Sequence, residues 1–217
     1  MSSSTTKSIY SRARSDEKHQ RLDITIQEEG PGSLRMRVDA EMNEVGILFR
    51  LCAVLYSYQW NIRSARIYTP GPNSISDEFH IVKGLDPTAM NEKSMRGLID
   101  DLETLLFGGV SVLEYLTEHH ARVPRSERET SNADTGDVVL LRQDRQSVIE
   151  VTAVDRPGLL LALSQAFYLM DINIFEGEIT TDKDGGVWNR FVVDPADARF
   201  RSKEFLRRLR EELKVLL

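Results

Sequence analysis

From Ser33 to Ala40 apolar and polar residues alternate, Leu34, Met36 and Val38 against Arg35, Arg37 and Asp39, the period of a strand with one buried face. At Gly46 the spacing changes. Ile47, Leu48, Leu51, Cys52, Leu55 and Tyr58 fall on one broad stripe, which predicts a helix over 46–58. Alternation returns over 61–69 through Ile62, Ala65 and Ile67, Pro70-Gly71-Pro72-Asn73 reads as a turn, and Phe79 and Ile81 mark a third strand over 76–82. A second helix is expected over 88–106 with Leu98, Leu102, Leu105 and Leu106 as its apolar face, and Val110 to Leu116, after Gly108-Gly109, reads as a fourth strand. The order is βαββαβ.

The pattern then recurs. With a constant shift of 112, Gly46 falls on Gly158, Leu48 on Leu160, Tyr56 on Tyr168, Asn61 on Asn173, Ile67 on Ile179 and Phe79 on Phe191, and no gap is needed between Asn43 and Val82. A register held through a helix, two strands and their loops implies two copies of one unit, and hence paired sites or a pseudo-symmetric interface. Copy two runs through strands at 147–154, 172–181 and 187–194, a helix over 158–170, and a last helix from about Ser202 carrying Phe205, Leu206, Leu209, Leu213 and Leu216. No residues follow for a fourth strand, so an open sheet edge is expected to be covered by Val138–Arg142 or by a partner chain. Copy one has a matching extra strand pattern at Leu22–Gln27. The expected fold class is α+β: two ferredoxin-like (βαββαβ) sandwiches in tandem, each with an added N-terminal strand. Residues 1–20 are polar and read as a disordered tail, 21–117 as the first domain, 118–136 as a linker and 137–217 as the second domain.

Composition narrows the function classes. The 217 residues give each copy on the order of 80 to 90, enough for one modest core but small for a free-standing enzyme domain. The formal net charge of −6 argues against a dominant nucleic-acid or anionic-membrane role. The single cysteine, Cys52, sits in an apolar run and reads as a small core residue. The start lacks the apolar stretch of a signal peptide and no transmembrane run occurs, so a cytoplasmic location is expected.

The most informative stretch is Val148-Ile149-Glu150-Val151-Thr152-Ala153-Val154-Asp155-Arg156-Pro157-Gly158-Leu159-Leu160. A strand ends, and a helix begins at a glycine that lets another group approach the backbone, leaving amide donors that suit a carboxylate or phosphate. Here the sequence resembles the ACT domain, the small-molecule-sensing regulatory module of amino-acid metabolism, whose usual marks stand as Asp155-Arg156-Pro157-Gly158-Leu159-Leu160 and Ile172-Asn173-Ile174. Copy one matches less closely, with Asn43-Glu44-Val45-Gly46-Ile47-Leu48 and Trp60-Asn61-Ile62. The tandem arrangement, over about residues 22 to 217, resembles the C-terminal regulatory half of the bacterial PII-protein uridylyltransferases, without their nucleotidyltransferase or phosphohydrolase domains.

The resemblance implies ligands, commonly amino acids, at the interface between two modules. Carried over by motif, the ligand-binding positions are Asp155, Arg156, Gly158, Asn173 and Ile174 in copy two, and Asn43, Gly46, Asn61 and Ile62 in copy one. Asp155 could receive an ammonium group, the amides near Gly158 a carboxylate, and Asn173 either. Asp155 has a second reading as a helix cap, and Asn61 and Asn173 as turn formers. Trp60, Tyr56 and Tyr168 read as core or interface aromatics.

No catalytic constellation emerges. Gly32-Ser33 and Asp39-Ala40-Glu41 are too close, on one strand pattern, for a nucleotidyltransferase site, and His119-His120 lies in the linker without a paired aspartate. The expectation is a non-enzymatic regulator without metal or cofactor, binding an amino acid or similar metabolite, acting on its own oligomer, a homodimer above all, or on a protein partner. The alternatives are a truncated or accessory uridylyltransferase-like subunit and a structural module with vestigial ligand loops.

Overall fold

The structure, a computed structural model, describes residues 8–15, 21–83, 92–119, 136–143 and 146–217, and of 8–15 the backbone alone. Fourteen regular elements follow one another among these residues. They are β1 (Ser8–Ser15), β2 (Arg21–Gly30), β3 (Ser33–Ala40), α1 (Ile47–Ser57), β4 (Trp60–Tyr68), β5 (Ile75–Lys83), α2 (Glu92–Leu106), α3 (Val112–Glu118), β6 (Gly136–Gln143), β7 (Gln146–Val154), α4 (Leu159–Leu169), β8 (Ile174–Thr181), β9 (Gly186–Val193) and α5 (Lys203–Lys214). All nine strands form one sheet in the order β1-β2-β3-β5-β4-β8-β9-β7-β6, each neighbour antiparallel.

The alternation that predicts the strands also sorts the sheet's faces. Leu34, Met36 and Val38 of β3, Phe79 and Ile81 of β5, Ile149 and Val151 of β7 and Phe191 of β9 are buried under the helices, while Arg35, Arg37, Arg66 and Glu178 lie on the open face. Helix α1 packs against α2 and α3 within its own half and against α4 across the middle, so a single core runs through both halves.

Each half is ferredoxin-like in layout; in the second the sheet edge is filled by the segment expected for it, and in the first by a different strand from the one expected. The edge position due to a fourth strand is filled by the added strand at the front: β2 pairs with β3, and β6, covering Val138–Arg142, pairs with β7. The order in each half is therefore ββαββα. The expected fourth strand of copy one, Val110–Leu116, is instead the helix α3. Its start is fixed by a capping box, in which the Ser111 hydroxyl accepts from the Glu114 amide at 3.3 Å and the Glu114 carboxylate accepts from the Ser111 amide at 3.1 Å. With β2 already paired to β3, Tyr115 and Leu116 pack on α1 instead and are buried.

One further expectation changes. The polar tail expected over 1–20 contains β1, which pairs with β2 from Ser8↔Gln27 to Ser15↔Arg21, because a free sheet edge recruits backbone whatever the side chains. Residues 1–7 and 16–20 lie outside the described residues, as do 84–91, where the second helix was expected to begin, and 120–135 of the linker.

The halves meet edge to edge. Strand β4 pairs antiparallel with β8 through Ser64↔Thr180, Ala65↔Ile179, Arg66↔Glu178, Ile67↔Gly177 and Tyr68↔Glu176. A shift of 112 turns Ala65 into Gly177, Arg66 into Glu178 and Ile67 into Ile179, so the seam lies on a pseudo-twofold axis through the pair Arg66 and Glu178.

Candidate functional site at the seam

Both helices flanking the seam start at a glycine in the left-handed region, Gly46 with φ 96° before α1 and Gly158 with φ 77° before α4, and no side chain caps either one. The capping alternative for Asp155 is therefore overturned: its carboxylate lies 3.9 Å from the Arg63 guanidinium of the other half, and its amide donates to the Gly185 carbonyl at 2.7 Å. At Gly46 the conformation is backed by a close approach. A Cβ there would lie 2.6 Å from Cδ2 of Tyr168, whose ring stacks on Phe49 at 5.6 Å.

The nine sequence-derived candidates gather into two pockets, regrouped relative to the sequence reading. Copy by copy, Asp155, Arg156 and Gly158 were grouped with Asn173 and Ile174. In the structure they share a pocket with Asn61 and Ile62 of the other half, while Asn43 and Gly46 share one with Asn173 and Ile174. The regrouping follows from topology. Antiparallel pairing of β4 with β8 carries the start of each strand to the helix start of the opposite half.

Almost every residue of one pocket has its counterpart in the other at a shift of 112. Cys52, Tyr56 and Trp60 in the first stand where Ser164, Tyr168 and Ile172 stand in the second, and Asn189 stands where Asp77 does. The pockets enclose about 40 Å³ and 30 Å³, room for a few waters, so an amino acid enters only if a lining side chain moves.

The chemistry of the two differs. In the first, Arg156 is half-buried, which lowers its pKa, and it donates to the Leu216 carbonyl at 2.7 Å. Two buried polar atoms on this pocket have no hydrogen-bond partner, the Trp60 indole Nε1 and the Asn189 Oδ1. In the second, the Asn173 side-chain amide donates to the side-chain oxygen Oδ1 of Asn43 at 3.3 Å across the seam, and Glu44 pairs with Arg50 at 3.3 Å. Asp77 is 1% exposed, accepts from the Tyr68 amide at 3.2 Å, and is pushed up to about 7 by burial, with Asp39 adding to the rise. Cys52, on the wall of the first pocket, has a thiol that burial pushes up to about 12, so it is an inert core residue.

Sequence reasoning missed Trp60, Asn189 and Asp77 as site residues. A signal for two of them was there: Asp77 stands between Ile75 and Phe79, and Asn189 between Val187 and Phe191, both at strand positions that alternation assigns to the core.

Against this geometry the match to a known family can be placed. Residues 147–213 match the ACT domain. They form an ACT domain. The ACT domain thus supplies Asp155, Arg156 and Gly158 to the first pocket and Asn173 and Ile174 to the second. The matched stretch spans β7, α4, β8, β9 and nearly all of α5, and β6 lies just before it. No curated protein matches the chain. Among solved structures, the chain is similar to an unknown protein from Galdieria sulphuraria at 17% identity, covering 83% of this chain and 92% of that one with a TM-score of 0.29. It is similar also to aspartate kinase from Synechocystis at 10% identity, covering 84% of this chain and 40% of that one with a TM-score of 0.21. Among the described residues no three His, Cys, Asp or Glu side chains gather to hold a metal, and no helix is long and apolar enough to cross a membrane.

Proposed function

We propose that the chain is a non-catalytic regulator in which residues 21–117 act as a second ACT-type unit beside the ACT domain, and an amino acid or similar metabolite binds at the seam. The observation that carries this reading is the pair of pockets related by a shift of 112, each built from the helix start of one half and the strand start of the other. Such a site responds to how the halves sit together, because its walls belong to both. Occupancy then biases the seam and reaches a partner or an oligomer through it. A second chain is not required to complete either pocket.

The resemblance to the regulatory half of the PII-protein uridylyltransferases supports a setting in nitrogen or amino-acid metabolism. The enzyme alternative has its own check, transfer of UMP to a purified PII protein with Mg²⁺, for which no transfer is expected. The regulator reading is tested by thermal unfolding across the twenty amino acids and common nucleotides. A ligand at 100 times its dissociation constant adds about 2.7 kcal/mol of stability, and at least one amino acid is expected to do so. A flat response across the panel would sink the reading.

A further inference from the structure

The two pockets are counterparts in position, yet among their described side chains only the first has buried polar atoms left without any hydrogen-bond partner. Trp60 is 3% exposed and Asn189 1% exposed, on facing halves of the first pocket, and the indole N–H and the amide oxygen lack partners. Leaving such a group unpaired in a protein interior is costly, so both atoms are poised to gain from a group that accepts from one and donates to the other. At the corresponding positions the second pocket has Ile172, with no polar atom to satisfy, and Asp77, which already accepts from the Tyr68 amide. There Asn43 and Asn173 also bond to each other and Tyr168 covers Gly46.

Resting on the seam-site reading above, we propose that the first pocket alone is the ligand site, and that Trp60 and Asn189 select a ligand whose neutral polar end both accepts and donates hydrogen bonds. An amide or hydroxyl side chain has that property. An aliphatic one leaves both atoms unpaired, and a carboxylate repels the amide oxygen of Asn189 while satisfying only the indole. Arg156, held by one hydrogen bond to the Leu216 carbonyl, is the lining group whose release widens the pocket, and its guanidinium remains at hand for the ligand's carboxylate.

Calorimetric titration of the full chain with L-asparagine, L-serine, L-leucine and L-aspartate tests the assignment, since asparagine, leucine and aspartate are close in size and differ in this end. Asparagine or serine is expected to bind at one equivalent per chain and more tightly than leucine or aspartate. Asn189→Leu and Trp60→Phe are each expected to weaken that binding about 3- to 10-fold, the worth of one hydrogen bond. Urea unfolding without ligand separates this from a structural role: Asn189→Leu removes an unpaired buried oxygen, so its midpoint is expected to hold or rise while affinity falls. Leucine binding as tightly as asparagine, two equivalent sites per chain, unchanged affinity in both variants, or a lowered midpoint for Asn189→Leu would each overturn the assignment and leave the seam-site reading standing. Absence of binding by every amino acid would overturn both.

Discussion

At the scale of single residues, Asp77 is the side chain with most at stake. Its position on β5 points it into the core beside Cys52 and Ser164, where its neighbours supply one backbone N–H and no counter-charge close enough to offset burial. The neutral acid is therefore the form that the fold prefers, and the folded chain holds its proton to a pH of about 7. The sign of the linkage follows. Below about pH 4 the carboxyl is protonated in folded and unfolded chains alike and costs nothing. Between about 4 and 7 the unfolded chain releases the proton first, so stability falls as pH rises, and above 7 the loss is complete at up to about 4 kcal/mol. Asp39 and Asp197, held below the usual carboxylate range mainly by Arg37 and Arg199 against the pull of burial, act in the opposite sense at low pH. The difference between wild type and Asp77→Asn isolates the one group. Urea midpoints of the two are expected to coincide near pH 4 and to separate toward pH 8, with Asp77→Asn the more stable; parallel profiles would show that the carboxyl is solvated after all.

At the scale of elements, the seam strands pack by size. Gly177 faces Ile67, and a Cβ on Gly177 would lie 2.9 Å from Cγ1 and 3.1 Å from Cβ of that isoleucine. Those atoms sit at the branch of a stiff side chain and do not yield cheaply. Gly177→Ala is expected to cost about 1–3 kcal/mol by overpacking, with amide exchange speeding first in β4 and β8, and Ile67→Ala in the same chain to recover part of the loss. A Gly177→Ala chain with wild-type stability and exchange would mean that the strands slide without penalty. Alternation and the helical stripes made most elements legible in advance, because a half-buried strand or helix cannot hide its period. The exception is instructive. Val110, Val112, Leu113, Tyr115 and Leu116 satisfy either period over so short a run, and the deciding sign was the Ser111-x-x-Glu114 capping box rather than the apolar residues. The candidate ligand residues were equally legible as motifs, but not their partners, since which loop meets which strand depends on the edge pairing of β4 with β8.

At the scale of the whole molecule, the open face shows why the halves pair with each other. Across six adjacent strands the register sets Arg37 opposite Glu78, Glu78 opposite Arg66, Arg66 opposite Glu178, Glu178 opposite Arg190 and Arg190 opposite Glu150. The signs alternate along the whole row and invert from one half to the other, Arg66 becoming Glu178 and Glu78 becoming Arg190 at a shift of 112. Because Arg66 and Glu178 lie on the pseudo-twofold axis, pairing a half with its own copy in another chain would set Glu opposite Glu, or Arg opposite Arg. Like charges directly opposite destabilise a strand pair, so the row favours the internal seam over exchange between chains. Arg66→Glu and Glu178→Arg are each expected to lower stability by up to about 1 kcal/mol at low salt, and the double exchange to restore much of it. Both side chains are exposed, so 1 M salt is expected to shrink these differences. Urea unfolding of the four chains at two salt concentrations measures the coupling. If the double exchange is as unstable as the sum of the single ones, the charge row is incidental and the seam is held by Ala65, Ile67 and Ile179 beneath it.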